Sequence, residues 1–155
     1  MLDTISRYRA VGSVGHHQNM DLEFSVRADG QVDLQLGTSW PIFNEALSDS
    51  ISSLPPRGAE GDGPSTYWID VAEAGVLRSV ETGDTRPFTG GNVTLLKLEG
   101  DQVVATLDFS DHEPRESMPI EDFLDLLREW RRRVLVSAAS ASSPLTETYR
   151  RNPAR

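Results

Sequence analysis

Apolar and polar side chains alternate most plainly between Leu22 and Leu36. Leu22, Phe24, Val26 and Ala28 interleave with Glu23, Ser25 and Arg27; after Asp29-Gly30, Val32, Leu34 and Leu36 interleave with Asp33 and Gln35. A period of two sends successive side chains to opposite faces, and glycine tolerates the positive φ of a tight primed turn. The stretch therefore predicts a β-hairpin with one face on a core. A second hairpin is expected from a strand over 93–98, the turn Glu99-Gly100-Asp101-Gln102, and a strand over 103–109 with Val103, Ala105, Leu107 and Phe109 on one face. Residues 5–14 suggest a first strand ahead of a turn at His16-His17-Gln18-Asn19. Residues 67–71 read as another strand, Ala72-Glu73-Ala74-Gly75 as a turn, and 76–80 as its returning partner.

Two segments carry helical spacing instead. Phe43, Ala46, Leu47, Ser50, Ile51 and Leu54 recur at three- and four-residue intervals behind Pro41, which suits a first helical turn, and Pro55-Pro56 stops the run. The second helix is expected to open at Met118-Pro119-Ile120-Glu121-Asp122, with carboxylates at the positive end of its dipole. Its apolar face is Ile120, Phe123, Leu124, Leu127, Trp130, Val134 and Leu135, and Arg131, Arg132 and Arg133 lie toward its carboxyl end. Residues 57–65 and 82–92 have loop composition. The expected architecture is α+β: a mostly antiparallel sheet of about six strands with two helices packed on it. One domain spans 1–136, followed over 137–155 by a Ser/Ala-rich linker and a basic flexible tail.

Composition narrows the classes. At 155 residues and 37% apolar content the chain is long enough for a real core. It holds no cysteine, which removes disulfides, cysteine-ligated metals and thiol nucleophiles. The start of the chain has no basic stretch leading into an apolar one, and no apolar run reaches membrane-spanning length, so a cytoplasmic location is expected. The net charge is −9, and residues 21–125 hold 21 acidic against 6 basic side chains, a local balance of −15. Such a body repels phosphate backbones and attracts basic proteins. The arginines gather elsewhere, at Arg7 and Arg9, at Arg128 and Arg131 to Arg133, and at Arg150, Arg151 and Arg155.

No constellation of residues reads as an enzyme, and no cofactor is expected. Asp111-His112-Glu113 sets a histidine between carboxylates, but adjacent side chains rarely converge on one ion and no second histidine stands at ligand spacing. Neighbours His16 and His17 point apart in an extended chain. The glycine-rich run at 58–63 contains Glu60 and Asp62, which oppose phosphate. Neither a metal site nor a catalytic residue is expected. Trp40, Trp68 and Trp130 sit in apolar patterns and are expected in the core; a half-exposed Trp or Tyr beside carboxylates would instead make an interface anchor.

The last hairpin followed by Met118-Pro119-Ile120-Glu121-Asp122-Phe123-Leu124, then Leu127 and Trp130, resembles the ending of several families of bacterial immunity proteins, which neutralise polymorphic or contact-dependent toxins. The resemblance covers about the last third of the chain, and its motif is also that of a well-made helix start. It implies a non-enzymatic inhibitor that occludes a cognate toxin, with an acidic surface matched to a basic nuclease cleft. The partner-binding candidates are Asp70, Glu73, Asp108, Asp111, Glu113 and Glu116, acids expected in or beside loops. Two other classes stay open: a secretion chaperone or scaffold that holds its partner without inhibiting it, and a small-ligand or metal-dependent enzyme using His112. Oligomeric state is left open.

Overall fold

The alternation around Asp29-Gly30 does form a hairpin. A computed structural model of the chain describes residues 6–11, 20–107 and 114–141. Strand β1 (Ser6–Val11) lies antiparallel to β2 (Asp21–Val26), and β2 to β3 (Val32–Leu36), giving a three-stranded sheet in that order. Leu22, Phe24, Val32, Leu34 and Leu36 are buried on one face. The turn differs from the tight primed form. Arg27 N–H donates to Gln31 O at 2.8 Å and Gly30 N–H to Arg27 O at 2.9 Å, and only Gly30 has a positive φ, of 90°. This is a three-residue connection in which glycine occupies the bulge position, so Asp29 is spared the left-handed conformation.

Helix α1 (Pro41–Asp49) buries Ile42, Phe43, Ala46 and Leu47. It ends before the expected Leu54, which is 54% exposed: the N–H groups of Ser50 and Ile51 both donate to Ala46 O, and the i to i−4 ladder stops there. Helix α2 (Tyr67–Thr82) replaces the strand, turn and returning strand expected over 67–80. Ile69, Ala72, Val76 and Ser79 repeat at helical spacing and are buried. Gly75, read as a turn residue, is needed for close approach: a Cβ there would stand 2.9 Å from Cβ of Phe88. The helix ends at Gly83, whose φ of 73° and N–H bond to Ser79 O make a left-handed cap.

The second sheet is β4 (Thr89–Gly90), β5 (Thr94–Glu99), β6 (Gln102–Leu107) and β7 (Glu116–Pro119), antiparallel in sequence order. Gly100, at φ 61°, leads the two-residue turn between β5 and β6. Residues 116–119, whose last two were assigned to a helix start, are a strand: Val103 pairs with Met118 and Gln102 with Pro119. Proline fits the end of a strand, where its missing N–H is not needed. Helix α3 (Ile120–Ala141) then begins, and it runs through residues 137–141, which composition had assigned to the linker. Ser137 is held there by a 2.6 Å bond from its hydroxyl to Gly30 O.

The α+β class holds, with three helices and two antiparallel sheets among the described residues in place of the expected two helices and one sheet. Helix α3 packs on β2, β3, β6 and β7, and α1 on β3, β5 and β6, so the two sheets share one core through these helices. Phe123, Leu126, Leu127, Trp130 and Val134 of α3 enter that core, whereas Leu135 is exposed. Side chains engage both ends of the outer edge of β3. Val32 N–H donates to Ser53 Oγ, Val32 O accepts from Trp130 Nε1, and Asn44 accepts from Leu36 N–H and donates to Leu36 O. Edge groups engaged in this way are withdrawn from pairing with another chain.

Candidate partner-binding surface

Asp70 and Glu73 lie one turn apart on α2, three residues being the spacing that places side chains on one face. Across from them α3 presents Arg128 and Arg131. Arg131 Nε donates to Asp70 at 2.8 Å, a second Arg131 nitrogen reaches Glu73, and Arg128 Nε donates to Glu73 at 3.2 Å. Burial alone would weaken the hold of Arg131 on its proton, but the bonds to Asp70 and Glu73 outweigh it and raise the guanidinium above its usual range. The structure brings these two candidate acids together and gives each an internal cation.

Glu116 is placed elsewhere and does different work. Its carboxylate accepts the backbone N–H groups of Ile42 at 3.0 Å and Phe43 at 2.8 Å. Helix α1 has no acid in its first turn and no side-chain cap from Trp40, so Glu116 supplies from β7 the negative charge that its first N–H groups favour. Asp108, Asp111 and Glu113 lie outside the described residues, as do His112, His16 and His17. Among the described residues no group of three or more His, Asp or Glu is disposed to hold a metal ion. No helix among them is long and apolar enough to cross a membrane.

Asp49, which sequence reasoning passed over, is a heavily bonded carboxylate. It accepts N–H from Asn92, Val93 and Thr94 and the Thr94 hydroxyl, all between 2.9 and 3.1 Å. Burial pushes its pKa up, but the bonds from Val93, Asn92 and Thr94 together carry it below the ordinary 3.8. No local signal marks this role, since the donors lie more than forty residues along the chain.

Internal pairing uses most of the described cations. Arg27 bonds Asp33, Arg86 bonds Asp84, Lys97 and Arg115 meet at Glu99, and Arg132 and Arg133 meet at Glu129. Glu23, Glu45, Glu60, Asp62, Glu81 and Glu121 form no ion pair among the described residues. The surplus surface charge is therefore mainly negative. Of these acids, Glu23 faces a cleft of about 390 Å³ between the outer face of the β2–β3 hairpin and α1, lined also by Asp21, Gln35, Leu36, Gly37, Thr38 and Asn44. Glu23 and Gln35 are polar members of the same alternation that predicted the hairpin. The sequence held the signal for this face, though not for the cleft.

Of the three tryptophans, Trp130 is buried and Trp40 packs partly buried against the core, but Trp68 is 37% exposed. Comparison with protein-family models, curated proteins and solved structures finds no match.

Proposed function

We propose that this chain is a non-enzymatic binding protein that neutralises a cognate toxic protein through an acidic surface. The observation that carries the reading is the leftover charge: internal ion pairs occupy most of the described arginines and the lysine, leaving unpaired carboxylates outward. A field of that sign accelerates encounter with a basic partner and disfavours nucleic acid. The cleft at Glu23 has room for a guanidinium or ammonium side chain between that carboxylate and the amide groups of Gln35 and Asn44. Asp70, Glu73 and Glu116, already engaged, support the scaffold that presents these groups.

The test is co-purification of the tagged chain with products of neighbouring genes at low and high salt, followed by expression of any captured partner alone. The expected result is a partner that is toxic alone and harmless beside this chain, and whose association slows by roughly tenfold or more as salt is raised. Failure to capture a partner at either salt refutes the reading. A captured partner that is harmless alone points to a chaperone or scaffold.

A further inference from the structure

The chain contains two Asp-Gly steps, Asp29-Gly30 and Asp62-Gly63, and no Asn-Gly step. Such a step carries its own reactivity. The backbone nitrogen after the aspartate belongs to a residue without Cβ, so no side chain shields it from the carboxyl carbon, and its attack there closes a succinimide ring. The nitrogen must first turn toward the side chain. A hydrogen bond at its N–H, or one that holds the carboxylate elsewhere, opposes that turn until the segment opens locally. The fold treats the two steps in opposite ways. Gly30 N–H donates to Arg27 O at 2.9 Å, the Asp29 carboxylate accepts Gln31 N–H at 3.0 Å, and Gly30 O accepts the Ser137 hydroxyl of α3. The turn is packed as well: a Cβ on Gly30 would stand 3.3 Å from Cδ of Pro64. Asp62 and Gly63, by contrast, are both exposed, and a Cβ on Gly63 would meet nothing within 4 Å. Among the described residues neither the Asp62 carboxylate nor the Gly63 N–H forms a hydrogen bond. The loop is pinned on either side of them, by Ala59 N–H to Pro56 O at 3.1 Å and by Ser65 N–H to Ser53 O at 2.8 Å. Residues 60–64 make no backbone hydrogen bond among the described residues.

We infer that Asp62 is a site of spontaneous covalent modification, converting through a succinimide to isoaspartate, and that the fold directs this chemistry to Asp62 and away from Asp29. The Gly63 nitrogen forms a bond to Cγ of Asp62 and the Cγ–O bond breaks. The departing oxygen leaves as water, with the amide proton and one proton taken from solvent. Water then reopens the ring. Opening at the former side-chain carbonyl restores aspartate. Opening at the main-chain carbonyl breaks its bond to the Gly63 nitrogen, frees an α-carboxylate and routes the chain through Cβ. No oxidant, metal or enzyme takes part, and the charge is the same before and after. The product adds a methylene to the backbone of a span that has no hydrogen bond for it to break, so the fold persists and the product accumulates as the chain ages. The freed α-carboxylate, on an exposed loop, is the group that isoaspartyl carboxyl methyltransferases esterify from S-adenosylmethionine, and an enzyme of that class is the partner this loop fits. The inference stands apart from the neutralisation reading and takes nothing from it.

The experiment ages the purified full chain at neutral pH, folded in buffer and unfolded in urea. Peptide mass spectrometry with electron-transfer fragmentation tells isoaspartate from aspartate at each step, and methyl uptake from labelled S-adenosylmethionine by a purified isoaspartyl methyltransferase measures the total. In the folded chain Asp62 should convert at least about tenfold faster than Asp29, because reaction at Asp29 must await local opening. In urea the two rates should converge. Asp62→Asn, which loses ammonia in place of water, should hasten the product. Asp62→Glu, whose larger ring closes more slowly, should remove most of the methyl uptake by the folded chain. Gly63→Ala should slow conversion without lowering the melting temperature, because its Cβ meets open space. Absence of isoaspartate at Asp62, or equal rates at Asp29 and Asp62 in the folded chain, overturns the inference. Methyl uptake that survives Asp62→Glu assigns the chemistry to another residue and overturns it too. A difference between the two steps that persists in urea assigns the selectivity to local sequence and overturns the role given to the fold.

Discussion

The indole N–H of Trp130 donates to the carbonyl of Val32, 2.9 Å away and 98 residues earlier in the chain. The bond joins the middle of α3 to the outer edge of the first sheet, and Trp130 is 1% exposed. Trp130→Phe keeps much of the packing but strands a buried acceptor, which should cost about 1–3 kcal/mol. Trp130→Ala adds a cavity and should cost about 3–5 kcal/mol. Urea unfolding followed by far-ultraviolet circular dichroism measures both; a Phe variant as stable as the parent would deny the hydrogen bond any net role.

Removing Glu116 should weaken α1 rather than a remote surface. Glu116→Ala uncaps the N–H groups of Ile42 and Phe43 and should cost about 1–2 kcal/mol, whereas Glu116→Gln, which keeps an acceptor, should cost less. Hydrogen exchange should show the loss first in the opening turn of α1.

Asp49 and Gly91 form one unit. A Cβ on Gly91 would overlap the Asp49 carboxylate and stand 2.7 Å from the Asp49 carbonyl oxygen, so Gly91→Ala must displace them. Asp49→Ala should cost about 2–3 kcal/mol through the lost charge-assisted bonds. Because both changes break the same contacts, the double variant should be more stable than the summed single effects predict.

The pH dependence follows from the same carboxylate. The folded pKa of Asp49 is depressed, so its bonds contribute full stability above the ordinary 3.8 and lose it as pH falls through the lower folded value. Glu99, held down chiefly by Arg115, and Glu129, held down chiefly by Arg132, shift in the same direction. The melting temperature should therefore decline below about pH 4, and more gently in Asp49→Asn. Thermal scans from pH 7 to 3 measure this; equal slopes in parent and variant would remove Asp49 from the account.

A double-mutant cycle on Arg131 and Glu73 should give a coupling of no more than about 1 kcal/mol, reduced by salt, because the seam between α2 and α3 is partly open to water.

Several features needed only local rules. The alternation from Leu22 to Leu36 set the first hairpin and which of its faces is buried. The apolar spacing from Phe123 to Val134 set the buried face of α3. The count of acids over arginines set the sign of the surface field. Each of these depends on periodicity or on totals, which short-range sequence records directly. Tertiary structure decided the rest. Gly75 stays inside a helix because Phe88 presses against it. Glu116, Asp49, Asp70 and Glu73 are tied to donors more than forty residues away, so their type and local spacing did not reveal whether they were available to a partner. Trp68 is 37% exposed because α3 meets α2 on the side of Asp70 and Glu73, and Trp68, two residues from Asp70, lies on another side of the helix. Burial and charge pairing are properties of neighbours in space, and for these residues only the folded chain determines who those neighbours are.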